Sequence, residues 1–149
     1  MTVSFLAISY ITLILAILLM PKRLNMQEIY ITFLVVSFHT LLADLLFADI
    51  LDLYDVMEKN GPQYSDLFVQ ITLPALFGII YLNFMPDKKM KFAIYLASWV
   101  IFSVFYEQIS RHFNYLEYKG WKTWYSVLFY MYACTFMRWH IGFIRKRNF

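Results

Sequence analysis

The sequence has 149 residues, of which 61% are hydrophobic and 15% are charged, and its mean hydropathy is +0.56. Soluble domains carry roughly 25% charged residues, so this composition excludes an ordinary water-soluble domain and indicates a chain that lies mostly in lipid. The formal net charge of +3 is small, and we expect no nucleic-acid partner. A membrane-crossing helix needs about 20 residues, so a chain of 149 residues has room for several such helices and little else. We therefore predict a single transmembrane domain over residues 1–149.

Five apolar runs, each long enough to cross a bilayer as a helix, follow one another along the chain. The first ends at Pro21, and because the basic pair Lys22 and Arg23 follows it, we expect a retained helix and not a signal peptide. The third contains Pro74, which removes a helical hydrogen bond and predicts a bend. The sequence therefore predicts an all-α polytopic membrane helix bundle with five transmembrane helices, at about residues 3–20, 29–51, 67–84, 90–109 and 121–144.

Charged residues between the runs predict the orientation of the bundle. With the amino terminus outside, eight basic residues fall on the inner side: Lys22, Arg23, Lys88, Lys89, Lys91, Arg145, Lys146 and Arg147. Four fall on the outer side: Lys59, Arg111, Lys119 and Lys122. Because cytoplasmic loops carry the excess of Lys and Arg, we predict the amino terminus outside and the carboxyl terminus in the cytoplasm. The longest connection, residues 52–66, contains the turn signal Asn60-Gly61-Pro62.

The second run contains two ionisable residues at membrane depth. At about 1.5 Å per helical residue from Glu28, His39 falls near the midplane and Asp44 falls in the outer half. Such residues are costly in lipid and are candidates for function. Asp44 is either a proton or cation site or a hydrogen-bonded residue that joins helices. His39 is either a proton relay or a structural histidine.

Several carboxylates fall in the outer half of the predicted bundle: Asp44, Asp49, Asp52 and Glu107. If the second and fourth helices are neighbours, these groups line an outward-facing cup whose oxygen atoms suit a hard cation. The alternative is a set of scattered interface carboxylates. Arg111 follows Glu107 at the spacing of a local ion pair, and His112 lies beside it. The metal stays unassigned, and no cofactor is predicted.

Familiar catalytic motifs are absent from the sequence. It has no His-Glu-x-x-His pair, no Gly-rich phosphate loop, no Gly-x-Ser-x-Gly turn and no Cys–His pair placed for thiol chemistry. The single cysteine, Cys134, lies in an apolar run and is predicted to be a packing residue. A non-enzymatic protein is favoured, and the one enzyme hypothesis is a lipid-processing site formed by Glu107 and His112.

The segment from Phe105 to Tyr125 is rich in Tyr and Trp, which is typical of a membrane interface. Four features resemble a family of short, uncharacterised membrane proteins from spore-forming Firmicutes: PKRL at residues 21–24, the proline-containing third helix that ends with Tyr81, Asn83 and Pro86, Glu107, and NYLEYKGWKTWYS at residues 114–126. The likeness covers most of the chain and is most specific from Glu107 to Ser126. The resemblance implies a bacterial inner-membrane location, suggests a link to sporulation and brings no catalytic residues.

Two functions follow from these observations. The first is a small non-enzymatic integral membrane protein, an accessory or structural component whose partners are the lipid bilayer and either a second copy of itself or a membrane complex. The alternative is a small proton- or cation-coupled transporter or channel that uses Asp44, His39 and Glu107 in the acidic cup.

Overall fold

The computed structural model describes residues 2–56 and 64–146, and over these residues the protein is built from five α-helices. They are α1 (Thr2–Leu19), α2 (Met26–Asp44), α3 (Tyr64–Phe84), α4 (Lys89–His112) and α5 (Thr123–Lys146). α2 continues directly into a π-helix over Leu45–Ile50, and α3 continues through Pro74. The predicted all-helical fold is confirmed. The Asn60-Gly61-Pro62 turn and the charges of Lys59 and Arg147 lie outside the described residues.

Four of the helices are long and apolar enough to cross a membrane. They are α1, α2 with its π-helical end, α3 and α4. Large apolar side chains on their outer surfaces are exposed, as in Ile8, Phe68 and Ile101. The sequence predicted five such helices; α5 has 24 residues but contains many Tyr, Trp and basic residues, and it is not among the four.

Two short strands close one end of the bundle. β1 (Tyr54–Val56) pairs with β2 (Leu116–Tyr118) in an antiparallel ribbon, with Tyr54 opposite Tyr118. The carbonyl of Leu53 accepts hydrogen bonds from three successive backbone N–H groups, at residues 119–121. We call this the ribbon end of the bundle and the opposite end the far end. The sequence does not predict this ribbon.

An exposed ion-pair cluster joins the two sides of the ribbon. The ammonium group of Lys119 lies 2.5 Å from a carboxylate oxygen of Asp52 and 2.9 Å from one of Asp55. These two carboxylates raise the pKa of Lys119. The cluster keeps this lysine charged, and it adds little stability because solvent screens exposed pairs.

Polar contacts fix the far end of the bundle. The buried amide of Asn83 accepts from the backbone N–H of Arg23 at 3.0 Å and donates to the carbonyl of Pro21 at 2.9 Å. Glu28 forms a capping box with Asn25 at the start of α2 and accepts a hydrogen bond from Arg145 at 2.8 Å. The connection after α1 and the end of α5 are therefore tied to the same end of the molecule.

The helices pack as pairs around a central space. α2 lies against α3, where the hydroxyl of Ser37 donates to the carbonyl of Ile71 at 2.8 Å. Gly78 allows this close approach, since a Cβ atom there would lie 3.0 Å from the side chain of Val36. α4 lies against α5, and α1 covers the outer side of α3 through Phe5, Leu6, Leu13, Val69 and Leu73.

Candidate functional site

A cavity of about 470 Å³ lies between α2, α3, α4 and α5 and beneath the ribbon. It extends from Tyr81 and Met137 toward the far end up to Tyr115 and Leu116 at the ribbon end. Its volume falls within the range of roughly 300–1,000 Å³ that is typical of small-molecule sites. Aromatic residues are common in its wall, with Phe47, Phe77, Trp99, Phe102, Phe129 and Phe136 among the lining residues.

Aromatic rings hold α3 and α4 apart at this level and so create the space. The ring of Phe77 lies 6.0 Å from that of Phe102 and 5.0 Å from that of Tyr106, centroid to centroid. The lining also includes small residues, Ser103 on α4 and Ala133 on α5. Large rings that separate the helices, together with small side chains between them, leave a volume that no side chain fills.

Glu107 lies at the ribbon end of the cavity and is almost fully buried, with 7% of its surface exposed. Its carboxylate accepts hydrogen bonds from the hydroxyls of Tyr118, of Ser126 at 2.6 Å and of Tyr130 at 2.7 Å. Ser126 in turn accepts from the indole N–H of Trp121 at 2.7 Å. One strand and one helix, β2 and α5, therefore supply the donors that a buried carboxylate requires.

Asp44 lines the same cavity and accepts a hydrogen bond from the hydroxyl of Tyr54 at 2.7 Å. Burial and the neighbouring Asp44 carboxylate raise the pKa of Tyr54, so this phenol stays protonated and can donate. Tyr54 and Tyr118 are cross-strand partners, and directly opposite residues of an antiparallel pair point to the same face. Each strand of the ribbon therefore supplies one tyrosine hydroxyl that donates a hydrogen bond to a carboxylate, Tyr54 to Asp44 and Tyr118 to Glu107.

Of the other candidates from the sequence, His39 lines the cavity and three do not. Its Nδ1 atom is hydrogen-bonded to the carbonyl of Val35 at 2.8 Å, and its ring lies 4.5 Å from that of Phe136 on α5. The three that lie elsewhere have exposed side chains: Asp49, Arg111 and His112.

The predicted ion pair between Glu107 and Arg111 does not form. Arg111 donates to Gln108 at 2.7 Å, and its guanidinium lies 3.9 Å from the ring centroid of Tyr118. Glu107 instead turns inward to the hydroxyls described above. His112 contacts Phe113 on the surface, so Glu107 and His112 do not share one site.

The outward-facing cup of four carboxylates is not formed either. Asp44 and Glu107 face the cavity, Asp49 is exposed, and Asp52 pairs with Lys119. Within residues 2–56 and 64–146, no group of three or more His, Cys, Asp or Glu side chains could hold a metal ion. A prediction from depth along a helix places residues at one level but does not say which way they face.

Four hydroxyl donors to the carboxylates were missed by the sequence analysis: Tyr54, Tyr118, Ser126 and Tyr130. Ser126 and Tyr130 had a local signal, because residues four apart lie on one face of a helix. Tyr118 was grouped with the aromatic residues of the membrane interface. Tyr54 and Tyr118 come together only through strand pairing, which sequence spacing does not reveal.

A second recess of about 380 Å³ adjoins the cavity between the π-helical end of α2 and the first half of α5. The two spaces share four lining residues: Phe47, Trp121, Phe129 and Tyr132. Leu128, at the edge of the recess, is 55% exposed. The recess is therefore an apolar surface, open to the outside of the bundle, on side chains that also form part of the cavity wall.

Comparison with known proteins adds no relative. No family model, no curated protein and no solved structure matches this chain. What bears on function is therefore the chemistry of the cavity. Its wall is apolar over most of its length, and its two carboxylates and their hydroxyl partners lie at the ribbon end.

Proposed function

We propose that this protein is a small transporter that binds a membrane-soluble molecule in the cavity and carries it between the lipid and the aqueous side, without covalent chemistry. The observation that supports this is the cavity of about 470 Å³ with Asp44 and Glu107 at one end. Protein interiors are normally close-packed, because empty volume forfeits dispersion contacts. A space of this size with convergent polar groups is the default site for a ligand.

Of the two functions inferred from the sequence, this proposal favours the transporter, without the acidic cup of four carboxylates. A purely structural membrane component gains from a filled interior, whereas a carrier requires an unfilled one. The recess between α2 and α5 supports a lateral route for a ligand dissolved in the lipid. An accessory role in a larger membrane complex, or as a homo-oligomer, stays a prediction.

The protein's placement in the membrane is part of the same proposal. All five helices cross a bacterial cell membrane, with the amino terminus outside and the ribbon end facing outward. α5 packs against the apolar α4 and exposes Leu128, Trp139 and Phe143, which supports a fifth crossing. The excess of basic residues at the far end supports the orientation. The resemblance to proteins of spore-forming Firmicutes supports the bacterial membrane and a link to sporulation.

A cavity-filling substitution tests the proposal. Ala133 lines the cavity, whereas Ala97 on α4 is exposed outside it, so Ala133→Phe and Ala97→Phe form a matched pair. The proteins are placed in phosphatidylcholine nanodiscs with the fluorescent probe 1-pyrenemethanol, and energy transfer from tryptophan to pyrene reports binding. We expect Ala133→Phe to weaken binding about ten-fold, or about 1.4 kcal/mol, because the added ring occupies volume that the probe would fill, and Ala97→Phe to bind like the wild type.

The thermal unfolding of the same variants checks that the loss of probe binding comes from the filled cavity and not from a less stable protein. A ring that fills empty volume should leave the melting temperature of Ala133→Phe unchanged or higher. Equal probe binding by the wild type and both variants would show that the cavity takes no ligand, and the proposed function would then be wrong.

A further inference from the structure

The charged groups of the cavity have one sign. Asp44 and Glu107 both line it, and no described lining residue is Lys or Arg. A ligand with a phosphate or carboxylate head would face two carboxylates without a compensating cation, which is costly at low dielectric. The head of a ligand at this end is therefore cationic or neutral.

The two carboxylates have acceptor capacity left for such a head. A carboxylate offers about four acceptor positions. Glu107 uses three of them, for Tyr118, Ser126 and Tyr130, and Asp44 uses one for Tyr54 among the described residues. An ammonium group has three donors and no acceptor, so its donors match the acceptor positions that remain on the two carboxylates.

Aromatic rings surround the same end of the cavity. Trp121 lies 5.3 Å from Phe47 and 5.4 Å from Tyr54, centroid to centroid, and all three rings line the cavity. The electron-rich faces of such rings attract organic cations, most strongly where water is excluded. The aromatic wall and the two carboxylates thus favour the same sign of charge.

A metal cation is a poorer fit than an organic one. Hard divalent cations take six or more oxygen ligands, and the part of the chain that the structure describes brings no third metal-binding side chain to Asp44 and Glu107. The nearby hydroxyls donate to the carboxylates and fill part of their acceptor capacity. The apolar remainder of the cavity is too large for an ion alone.

We propose, on the basis of the transport function above, that the substrates are hydrophobic amines, whose ammonium head binds between Asp44 and Glu107 while the apolar body lies against the aromatic wall. The ribbon tyrosines hold the two carboxylates in place for the head. The cavity selects substrates by the charge of the head and by an apolar body that fits about 470 Å³.

Three pyrene probes that differ only in the head group test this inference: 1-pyrenemethylamine, 1-pyrenemethanol and 1-pyrenecarboxylic acid. Each is titrated into wild-type protein in phosphatidylcholine nanodiscs, whose lipids carry no net charge. We expect the amine to bind about ten-fold more tightly than the alcohol, since charge-assisted hydrogen bonds are stronger than neutral ones, and the acid to bind most weakly.

The Asp44→Asn and Glu107→Gln variants show which carboxylates are responsible for the tighter binding of the amine than of the alcohol. We expect either change to reduce the affinity for the amine more than the affinity for the alcohol, so that the ratio of the two affinities falls from about ten-fold toward one, because the charge that strengthens the hydrogen bonds to the ammonium group is removed. Asp87→Asn, an exposed carboxylate at the far end of the bundle and outside the cavity, is the control and should bind all three probes like the wild type. If Glu107→Gln does not fold, Asp44→Asn still decides the result.

The outcomes separate this inference from the proposed function. Equal affinity for amine and alcohol, or tightest binding of the acid, with binding that Ala133→Phe blocks, would overturn the cationic head and leave the transport function standing. Binding of all three probes that Ala133→Phe does not affect would overturn both.

Discussion

Ser126 links a buried carboxylate to the rest of the ribbon end. Its hydroxyl donates to Glu107 and accepts from the indole N–H of Trp121, and only 1% of the residue's surface is exposed. The hydroxyl of Tyr118, which also donates to Glu107, lies 3.4 Å from that of Ser126. Removal of this one oxygen therefore leaves the buried carboxylate of Glu107 and the indole N–H of Trp121 each with one partner fewer.

Ser126→Ala should destabilise the protein by about 1–3 kcal/mol, the usual cost of an unsatisfied buried polar group. Ser98→Ala is the matched control, because the hydroxyl of Ser98 is exposed and binds the carbonyl of Ile94 in its own helix. The control should change stability by less than about 0.5 kcal/mol. Unfolding in detergent, followed by circular dichroism, measures both variants, and similar effects would mean that Ser126 is not a structural link.

At the residue scale, the sequence identified the acidic groups but not their partners. Asp44 and Glu107 are recognisable because an ionisable residue in an apolar run is rare and costly. Tyr54 and Tyr118 are 64 positions apart in the sequence, and nothing local marks either one as a donor to a carboxylate. Asp49, at a similar depth to the others, is exposed, because helix depth does not define direction.

The ribbon owes its position to the way in which two helices end. α4 ends at His112, and Asn114, two residues later, has a positive φ of 57°. The N–H of Asn114 binds the carbonyl of Arg111, and the N–H of Tyr115 binds that of Ser110. This is the Schellman pattern, in which one left-handed residue stops a helix and turns the chain. Asp52, with a φ of 49°, makes the corresponding turn after the π-helix and before β1.

Asn114→Val should destabilise the ribbon end by about 1–2 kcal/mol, because a β-branched side chain clashes in the left-handed conformation. Asn114→Gly is the control, since glycine adopts this conformation without strain. Hydrogen exchange at the amides of Lys119 and Gly120, which bind the carbonyl of Leu53, reports the opening of the ribbon. Exchange should be faster in Asn114→Val only; unchanged exchange would show that the ribbon does not depend on this turn.

At the element scale, the five helices were predictable to within a few residues at most ends, because hydropathy and helix length are local properties. The π-helical end of α2 and the three-residue strands were not. Each strand is too short for a period-2 pattern to be visible, and their pairing depends on the two helix ends that bring them together.

For the molecule as a whole, the character of α5 decides how many times the chain crosses the membrane. Its polar residues Ser126, Tyr130 and His140 are turned inward: Ser126 and Tyr130 bind Glu107 and His140 is buried, while Leu128 and Trp139 are exposed. A helix that turns polar side chains toward the interior of the bundle has lower overall hydropathy than one that only faces lipid. The low hydropathy of α5 is therefore compatible with a transmembrane position, and composition alone could not settle its place.

Two positions at opposite ends of α5 test the fifth crossing. Lys122 precedes the helix at the ribbon end, and Lys146 is its last residue at the far end. Each is changed to cysteine, as Lys122→Cys and Lys146→Cys, in a Cys134→Ala background, which removes the single native cysteine. Intact cells that express each variant are treated with a maleimide that cannot cross membranes, and the labelling is compared before and after permeabilisation.

We expect Lys122→Cys to react in intact cells and Lys146→Cys to react only after permeabilisation, because an excess of basic residues favours retention in the cytoplasm and the far end carries that excess. Labelling of both positions in intact cells would mean that α5 does not cross the membrane, and the proposed cavity would then be open to the aqueous side along one wall. The reverse pattern would keep five crossings but turn the ribbon end inward. In that case Asp44 and Glu107 would face the cytoplasm, and the protein would bind the amine from that side.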